Sequence, residues 1–394
     1  MPRSCSRKIR AGAKPFPRMA PLAPANLNLL NMKFLPFSKQ VGAVLLSVLV
    51  ASLPAPAISA EPDAFFRTTC AAKAGESGTT VVTGRDGWLF LPAELRHIGA
   101  GKFWGADAAK VSKATKPETA DPLPAIVDFK EQLAARGIEL ILVPVPAKAL
   151  VYPQAVFGEK ESALPAGLRL DTVHQDFYKQ LSTNGIAVLD LMPDYLAHRD
   201  DAGTGVLYCK TDSHWAPRGI SLAAEKIAAL LDGKDWLKKA RANAAVKTVA
   251  KEQDTEITGD LAAMLPPDAS RPKEKLALKI IGTADSAGAT PVAADKASPV
   301  VLLGDSHNLV FHAGGDMLAA GAGLPDQLAQ TLGIAVDVVA VRGSGATPAR
   351  VNLMRRAKGD PQYLAGKKVV IWCFSVREFT ESSGWAKVTL PPAK

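Results

Sequence analysis

The stretch Val300-Val-Leu-Leu-Gly-Asp-Ser-His-Asn308 carries four apolar residues into a glycine, a carboxylate, a hydroxyl and an imidazole. A short apolar run without polar alternation reads as a strand buried on both faces, as in parallel sheets covered by helices. Four other runs share this character: Ile138–Val145, Ile186–Leu191, Val336–Val341 and Lys368–Phe374. Segments with helical spacing lie between or beside them, at Leu123–Arg136, Leu168–Thr183, Ala216–Leu231, Met317–Leu332 and Thr347–Ala357. This alternation predicts an α/β fold with a mostly parallel sheet flanked by helices. In such sheets the chemistry gathers beyond the carboxyl ends of the strands. Gly304 to Asn308 fall at one of those ends.

Residues 233–298 break the alternation. They contain Lys/Ala-rich stretches, Pro266-Pro267, Pro272 and the small-residue segment Gly282–Ser298. They read as an inserted excursion with short strands and a mobile loop. No internal repeat is present.

The chain has 394 residues, with 47 Lys+Arg against 38 Asp+Glu and a formal net charge of +9. Such a balance raises nucleic acid or an anionic membrane as a partner. The positive charge is concentrated, however. Arg3, Arg7, Lys8, Arg10, Lys14, Arg18, Lys33 and Lys39 fall in residues 1–60, which hold no acid. The rest is close to neutral, so a nucleic-acid function loses its support. Within the leader, Val41–Leu53 is an uncharged apolar run, too short for a spanning helix of about 20 residues. Lys33 and Lys39 precede it and small residues follow, the pattern of a secretory signal cleaved between Ala57 and Glu61 or kept as an inner-membrane anchor. Met32 sits where such a signal begins. The expected organisation is a leader over 1–60 and one domain over 61–394, exported to the periplasm.

Cys5, Cys70, Cys209 and Cys373 are too few for a disulfide scaffold, and no pair has metal-site spacing. Cys373 lies in an apolar run, whereas Cys70 and Cys209 fall in polar stretches. A Cys70–Cys209 bridge and two free thiols are both open.

Gly304-Asp305-Ser306 places a hydroxyl at a sharp turn where backbone N–H groups face a developing oxyanion, so Ser306 is a candidate nucleophile. A serine nucleophile needs a base, and the base needs an acceptor to fix its tautomer. Asp212 and His214 supply both within Lys210-Thr-Asp-Ser-His-Trp-Ala-Pro217, a segment that also reads as a helix start. Asp-Ser-His recurs at 305–307, so zinc held by two Asp and two His is an alternative. Ser213, trapped between its own acid and base, is the weaker nucleophile, and His307 reads as local scaffolding or a substrate contact. Arg342-Gly343-Ser-Gly345 ends another strand; Pro348 spoils it as a dinucleotide fingerprint, leaving an active-site wall or second oxyanion donor. No P-loop is present, and no cofactor is expected. Gly84–Leu91 reads as a turn and an aromatic strand that joins the core rather than stacking on sugars. His97, His174, His198 and His312 read as surface or structural.

Together these blocks resemble the AlgX/AlgJ family of SGNH-hydrolase-like polysaccharide O-acetyltransferases. The match rests on Gly84–Leu91, Thr211-Asp-Ser-His-Trp215 with Pro217 and Gly219, and Leu302–Ser306. Gly259-Asp260-Leu261 and Ile371-Trp372 with Arg377 add weaker support. The chain stops soon after the last strand, with no carbohydrate-binding module, which is more similar to the AlgJ branch. The resemblance implies an SGNH-type domain in which Ser306 is acylated, His214 serves as base and then acid, and Asp212 orients it. It implies an acetyl group supplied by a membrane-bound O-acyltransferase and passed to an exopolysaccharide such as alginate. Trp215, Arg342, Gly343 and Arg377 are the candidate substrate or oxyanion contacts. One departure is Cys373, where the family often has an acid. A carbohydrate acetyl esterase and a noncatalytic polysaccharide-binding subunit are the competing readings.

Overall fold

Each of the apolar runs read as strands enters one parallel sheet. The strands are β1 (Glu139–Val145), β2 (Ala187–Val188), β3 (Val300–Gly304), β4 (Asp337–Ala340) and β5 (Val369–Ser375). Their order across the sheet is β4-β3-β5-β1-β2. All of β3 and β5 is buried, which is why neither alternates polar with apolar residues. The computed structural model describes residues 61–76, 80–157, 167–201, 203–244, 247–286 and 290–392. The leader, its apolar run Val41–Leu53 and its cleavage region lie outside the described residues. No helix among the described residues is long and apolar enough to cross a membrane.

The main covering helices are α1 (Pro122–Ala134), α2 (Thr172–Thr183), α3 (Pro217–Leu231), α4 (Leu324–Leu332) and α5 (Thr347–Gly359). α1 shows how such a helix is specified. Asp121 caps it by accepting the Leu123 N–H at 3.0 Å, Pro122 fits the first turn, and Ile126, Phe129 and Leu133 repeat on the buried face. Phe129 meets Trp372 of β5 edge-on at 5.3 Å. The buried Arg350 of α5 lies 5.2 Å from the same indole, so two helices are pinned to the central strand through one ring.

One sequence expectation changes, and one that was open is decided. The helix expected over Met317–Leu332 is a strand, Met317–Ala320, followed by the shorter α4. Gly321 at φ +81° breaks the run, and α4 starts afresh where the Asp326 carboxylate accepts the Gly323 N–H at 2.9 Å. Cys70 and Cys209 are both buried and free, as is Cys373, so there is no Cys70–Cys209 bridge. The polar residues after Cys209 are themselves buried, as Thr211, Asp212, Ser213 and His214 fold into the interior with it.

The excursion is built around an antiparallel ribbon, Thr248–Ile257 against Glu274–Thr283, with strands longer than expected. Residues 287–289 of its predicted loop lie outside the described residues. Ahead of β1, the Asp86-Gly87 turn closes a small hairpin that buries Trp88, Leu89 and Phe90, so this aromatic block is core. His97 and His174 are buried against each other, with ring nitrogens 2.8 Å apart. His198 and His312 pair with Asp201 and Asp326.

The end of β3 is held by close contact. Gly304 stands opposite Cys373 in the β3–β5 register, and a Cβ at 304 would lie 1.7 Å from the Cys373 carbonyl oxygen. Gly304→Ala must therefore move backbone against backbone. It is expected to cost more than about 3 kcal/mol, read as a large drop in the thermal unfolding midpoint by circular dichroism. A midpoint within experimental error of the wild type would contradict the packing.

Candidate active site

The turn after β3 is fixed from three sides. Asp305 Oδ2 accepts the Ser375 N–H at 2.8 Å and Oδ1 accepts the His307 N–H at 2.9 Å. Asn308 Nδ2 donates to the Cys373 carbonyl at 2.8 Å. Ser306 then opens a one-turn 3-10 helix, and its N–H, at the first position, has no acceptor within that helix. The turn therefore offers a hydroxyl and a free N–H side by side.

The segment before α3 comes to meet it. An antiparallel bridge joins Tyr208 to Trp215, closing Cys209–His214 into a tight loop. Within that loop Asp212 Oδ1 accepts both the His214 N–H, at 3.0 Å, and the His214 Nδ1, at 2.7 Å. On the other side of the ring, Nε2 lies 2.8 Å from Ser306 Oγ. Asp212, His214 and Ser306 are only 2%, 6% and 7% exposed, so the chain of hydrogen bonds is shielded and yet reachable at its serine end.

Burial alone would raise the Asp212 carboxyl, but the hydrogen bond and charge of His214, with the backbone N–H groups of Asp260 and His214, hold it well below the usual range. Burial alone would lower His214. Asp212 and then Asp260 outweigh it and raise the imidazole above its ordinary value, against the opposing charge of Arg377. Burial would likewise raise Asp305, but His307, Arg377 and the Ser375 N–H bring it down to about 2. His307 is lowered, chiefly by burial. The two Asp-Ser-His triplets thus differ: one points its imidazole at a hydroxyl, the other uses its aspartate to tie the turn to β5. The His307 ring lies tilted against that of His214, with centroids 4.8 Å apart.

Of the other sequence candidates, Trp215 is fully buried and cannot touch a substrate; its Nε1 donates to the His307 carbonyl at 3.1 Å, bracing the two loops together. Arg342 is exposed and paired outward with Asp316 at 2.8 Å. Gly343 adopts φ +100° in an open position, and Gly345 makes the close approach to the Asp305 backbone. Trp372 Nε1 holds that loop by donating to the Gly345 carbonyl at 2.8 Å. Arg377 is half-buried beside the site, with its charge felt by His214, His307 and Asp305. Cys373 contributes its carbonyl rather than its buried side chain.

Three groups were not read from sequence as parts of the site. Lys148 is fully buried, and its Nζ donates to the carbonyls of Leu89, Cys209 and Asp212 at 2.7, 2.8 and 2.6 Å. A lysine inside the apolar stretch Pro144–Val151, just past β1, was the available signal. Asp260 had been noted only within a weak motif; it binds Ser213 through both carboxylate oxygens. Glu94 is buried nearby and raised by that burial, with Arg377, Lys148 and His214 acting against it.

Asp212, His214 and Asp260 bring potential ligand atoms within 4.8 Å of one another. Both ring nitrogens of His214 are already hydrogen-bonded, however, which fits proton transfer from a serine better than metal ligation.

Comparison with known proteins bears on this geometry. A family profile described as "SGNH hydrolase-like domain, acetyltransferase AlgX" matches residues 81–376. The probable alginate O-acetylase AlgJ of Pseudomonas aeruginosa is 29% identical over 188 residues, 48% of this chain and 41% of that protein. Its Pseudomonas fluorescens counterpart is 27% identical over 306 residues, 75% of this chain and 68% of that protein. The chain thus spans about two-fifths to two-thirds of the length of these relatives. The O-acetyltransferase domain of Pseudomonas putida AlgJ superimposes with a TM-score of 0.53 at 24% identity, covering 76% of this chain and 92% of that one. Pseudomonas aeruginosa AlgX gives 0.52 at 18%, covering 80% and 66%. These likenesses bear on the fold, which is SGNH-hydrolase-like.

A serine-directed sulfonyl fluoride reads the site without assuming a substrate. His214 must be neutral to accept the Ser306 proton, and its value is raised above 6.5. Labelling of Ser306 is expected to be maximal at alkaline pH and to fall about tenfold per unit below an apparent pKa above 6.5. A profile flat down to pH 5 would exclude His214 as the base. Lys148→Met leaves buried carbonyls unpaired, each at about 1–3 kcal/mol. It is expected to lower the unfolding midpoint and slow labelling by about tenfold or more, and wild-type labelling would show that the clamp is dispensable.

Proposed function

Because the chain belongs to the family of SGNH hydrolase-like AlgX acetyltransferases, as the match over residues 81–376 shows, we propose that it moves acetyl groups onto hydroxyls of an exopolysaccharide. The observation that carries this reading is the unbroken series Asp212–His214–Ser306 at 2.7 and 2.8 Å, with a free N–H on the serine itself.

His214 Nε2 takes the Ser306 proton as Oγ attacks the acetyl carbonyl. The Ser306 N–H and a donor from the Gly343–Gly345 loop hold the oxyanion. Collapse breaks the ester bond to the donor, whose leaving oxygen takes the proton from His214, and acetyl-Ser306 remains. A sugar hydroxyl then gives its proton to His214 and attacks the acetyl group, and Ser306 leaves with that proton. Asp212 stabilises the imidazolium in both halves. Arg377 contacts the donor or acceptor beside His214.

The acceptor is an acidic polysaccharide of the alginate type. The curated relatives are named as probable alginate O-acetylases. A cleft of about 500 Å³ lined by Lys210, Arg218 and Lys275, with Glu274 as its acid, borders the segment that carries the acid and base, and its excess of cations suits carboxylated sugars. The acetyl group comes from a membrane-bound O-acyltransferase, and the leader places the domain in the periplasm, freed by cleavage or held at the inner membrane.

Mass spectrometry after exposure to an activated acetyl ester is expected to find acetyl on Ser306, and addition of oligomannuronate to yield acetylated sugar. Ser306→Ala should abolish both in a folded protein. Release of acetate alone, with no acetylated sugar, would instead make the protein an esterase. Unchanged polymer acetylation in a strain carrying Ser306→Ala would make it a noncatalytic subunit.

A further inference from the structure

We propose that Asp260, supplied by the inserted excursion, is a second positioning carboxylate for His214. The inference rests on the reading of His214 as the base and goes beyond the three residues that make up the hydrogen-bonded series.

The ribbon strand Thr248–Ile257 leads directly into Gly259 and the short helix Asp260–Ala263. Gly259 packs so tightly against the acid-bearing loop that a Cβ there would lie 2.3 Å from the Thr211 carbonyl oxygen. Asp260 therefore reaches the site with its backbone and its side chain together. Its N–H donates to Asp212 Oδ2 at 2.8 Å, occupying the oxygen that His214 does not use. Its Oδ1 accepts the Ser213 N–H at 2.7 Å and its Oδ2 accepts the Ser213 hydroxyl at 2.5 Å, locking the residue between the acid and the base. That second oxygen is then 4.0 Å from His214 Nδ1. Two carboxylates thus face one imidazole, from different parts of the chain.

The other groups around the ring do not supply this charge. His307 faces it from the nucleophile turn as a buried neutral ring, Arg377 faces it from beyond β5 as a cation, and Glu94 is a buried carboxyl raised by its surroundings. Asp260 is different in kind from Asp212: its side chain is 42% exposed, against 4%. Its two oxygens are held by the Ser213 N–H and hydroxyl, so its field is in place before the imidazolium forms. Asp212 fixes the tautomer; Asp260 adds negative charge and holds the loop.

The test reads His214 directly. In protein with carbon-13-labelled histidine, the His214 ring signal, assigned by its loss in His214→Gln, is titrated by NMR. In the wild type it is expected to titrate above 6.5. Asp260→Asn is expected to lower it by about one pH unit, a tenfold change in the protonation equilibrium. Ser213→Ala removes the hydroxyl that bonds Asp260 and lies 3.5 Å from His214 Nδ1 but keeps the carboxylate, and is expected to leave the titration near the wild-type value. Because the carboxylate is partly in water, added salt should also lower the wild-type value and not that of Asp260→Asn. An unmoved titration in Asp260→Asn, or an equal shift in Ser213→Ala, would overturn the proposal. These readouts need no turnover, so failure to find acetyl-Ser306 would count against the acetyl-transfer reading and leave the Asp260 result to stand or fall separately.

Discussion

The carboxyl end of β5 is the frame on which the site hangs. Three successive features of this strand reach sideways: the Trp372 indole holds the Gly345 carbonyl, the Cys373 carbonyl presses on Gly304 and accepts from Asn308, and the Ser375 N–H binds Asp305. Two loops from neighbouring strands are thereby tied to one rigid edge. The nucleophile turn inherits its position from backbone groups that cannot rotate away. This explains why the residue opposite Cys373 has to be glycine. A side chain there would separate the two strands at the point where the hydroxyl must be aimed.

Buried charge supplies the second layer of order. Lys148 carries its ammonium into the interior without a carboxylate in hydrogen-bond contact among the described residues and donates to three carbonyls from two segments. Those carbonyls belong to the aromatic hairpin and to both ends of the Cys209–Asp212 stretch, so one side chain sets the distance between them. Such an arrangement stabilises only if every donor is used. Asp305 works in the same way with the opposite sign, accepting from β5 and from its own turn. The acid, the base and the serine are held by groups that take no part in moving protons.

Much of this was legible in the sequence, and the exceptions have physical reasons. The five apolar runs declared the sheet because parallel strands are apolar on both faces, and their ends fell within a few residues of the observed limits. The Asp-Ser-His triplets announced themselves because the residue types are specific, although their division of labour depended on where each imidazole pointed, which pattern does not carry. The false helix over Met317–Leu332 arose because Gly321 and Gly323 interrupt a run whose apolar spacing is otherwise helical. Trp215 was placed at the substrate because motif position says nothing of burial. Lys148 and Asp260 were missed for a common reason: each meets partners more than 45 residues away, in contacts that have a backbone atom on one side and so leave no residue-type pattern.

The state of the cysteines has a consequence of its own. Cys70, Cys209 and Cys373 are enclosed as separate thiols, and burial pushes each of them upward, away from the reactive thiolate form. The described domain therefore has no covalent crosslink to form and none to lose. Its folded state is chemically the same in a reducing interior and in an oxidising exterior, so passage between such compartments imposes no maturation step on it.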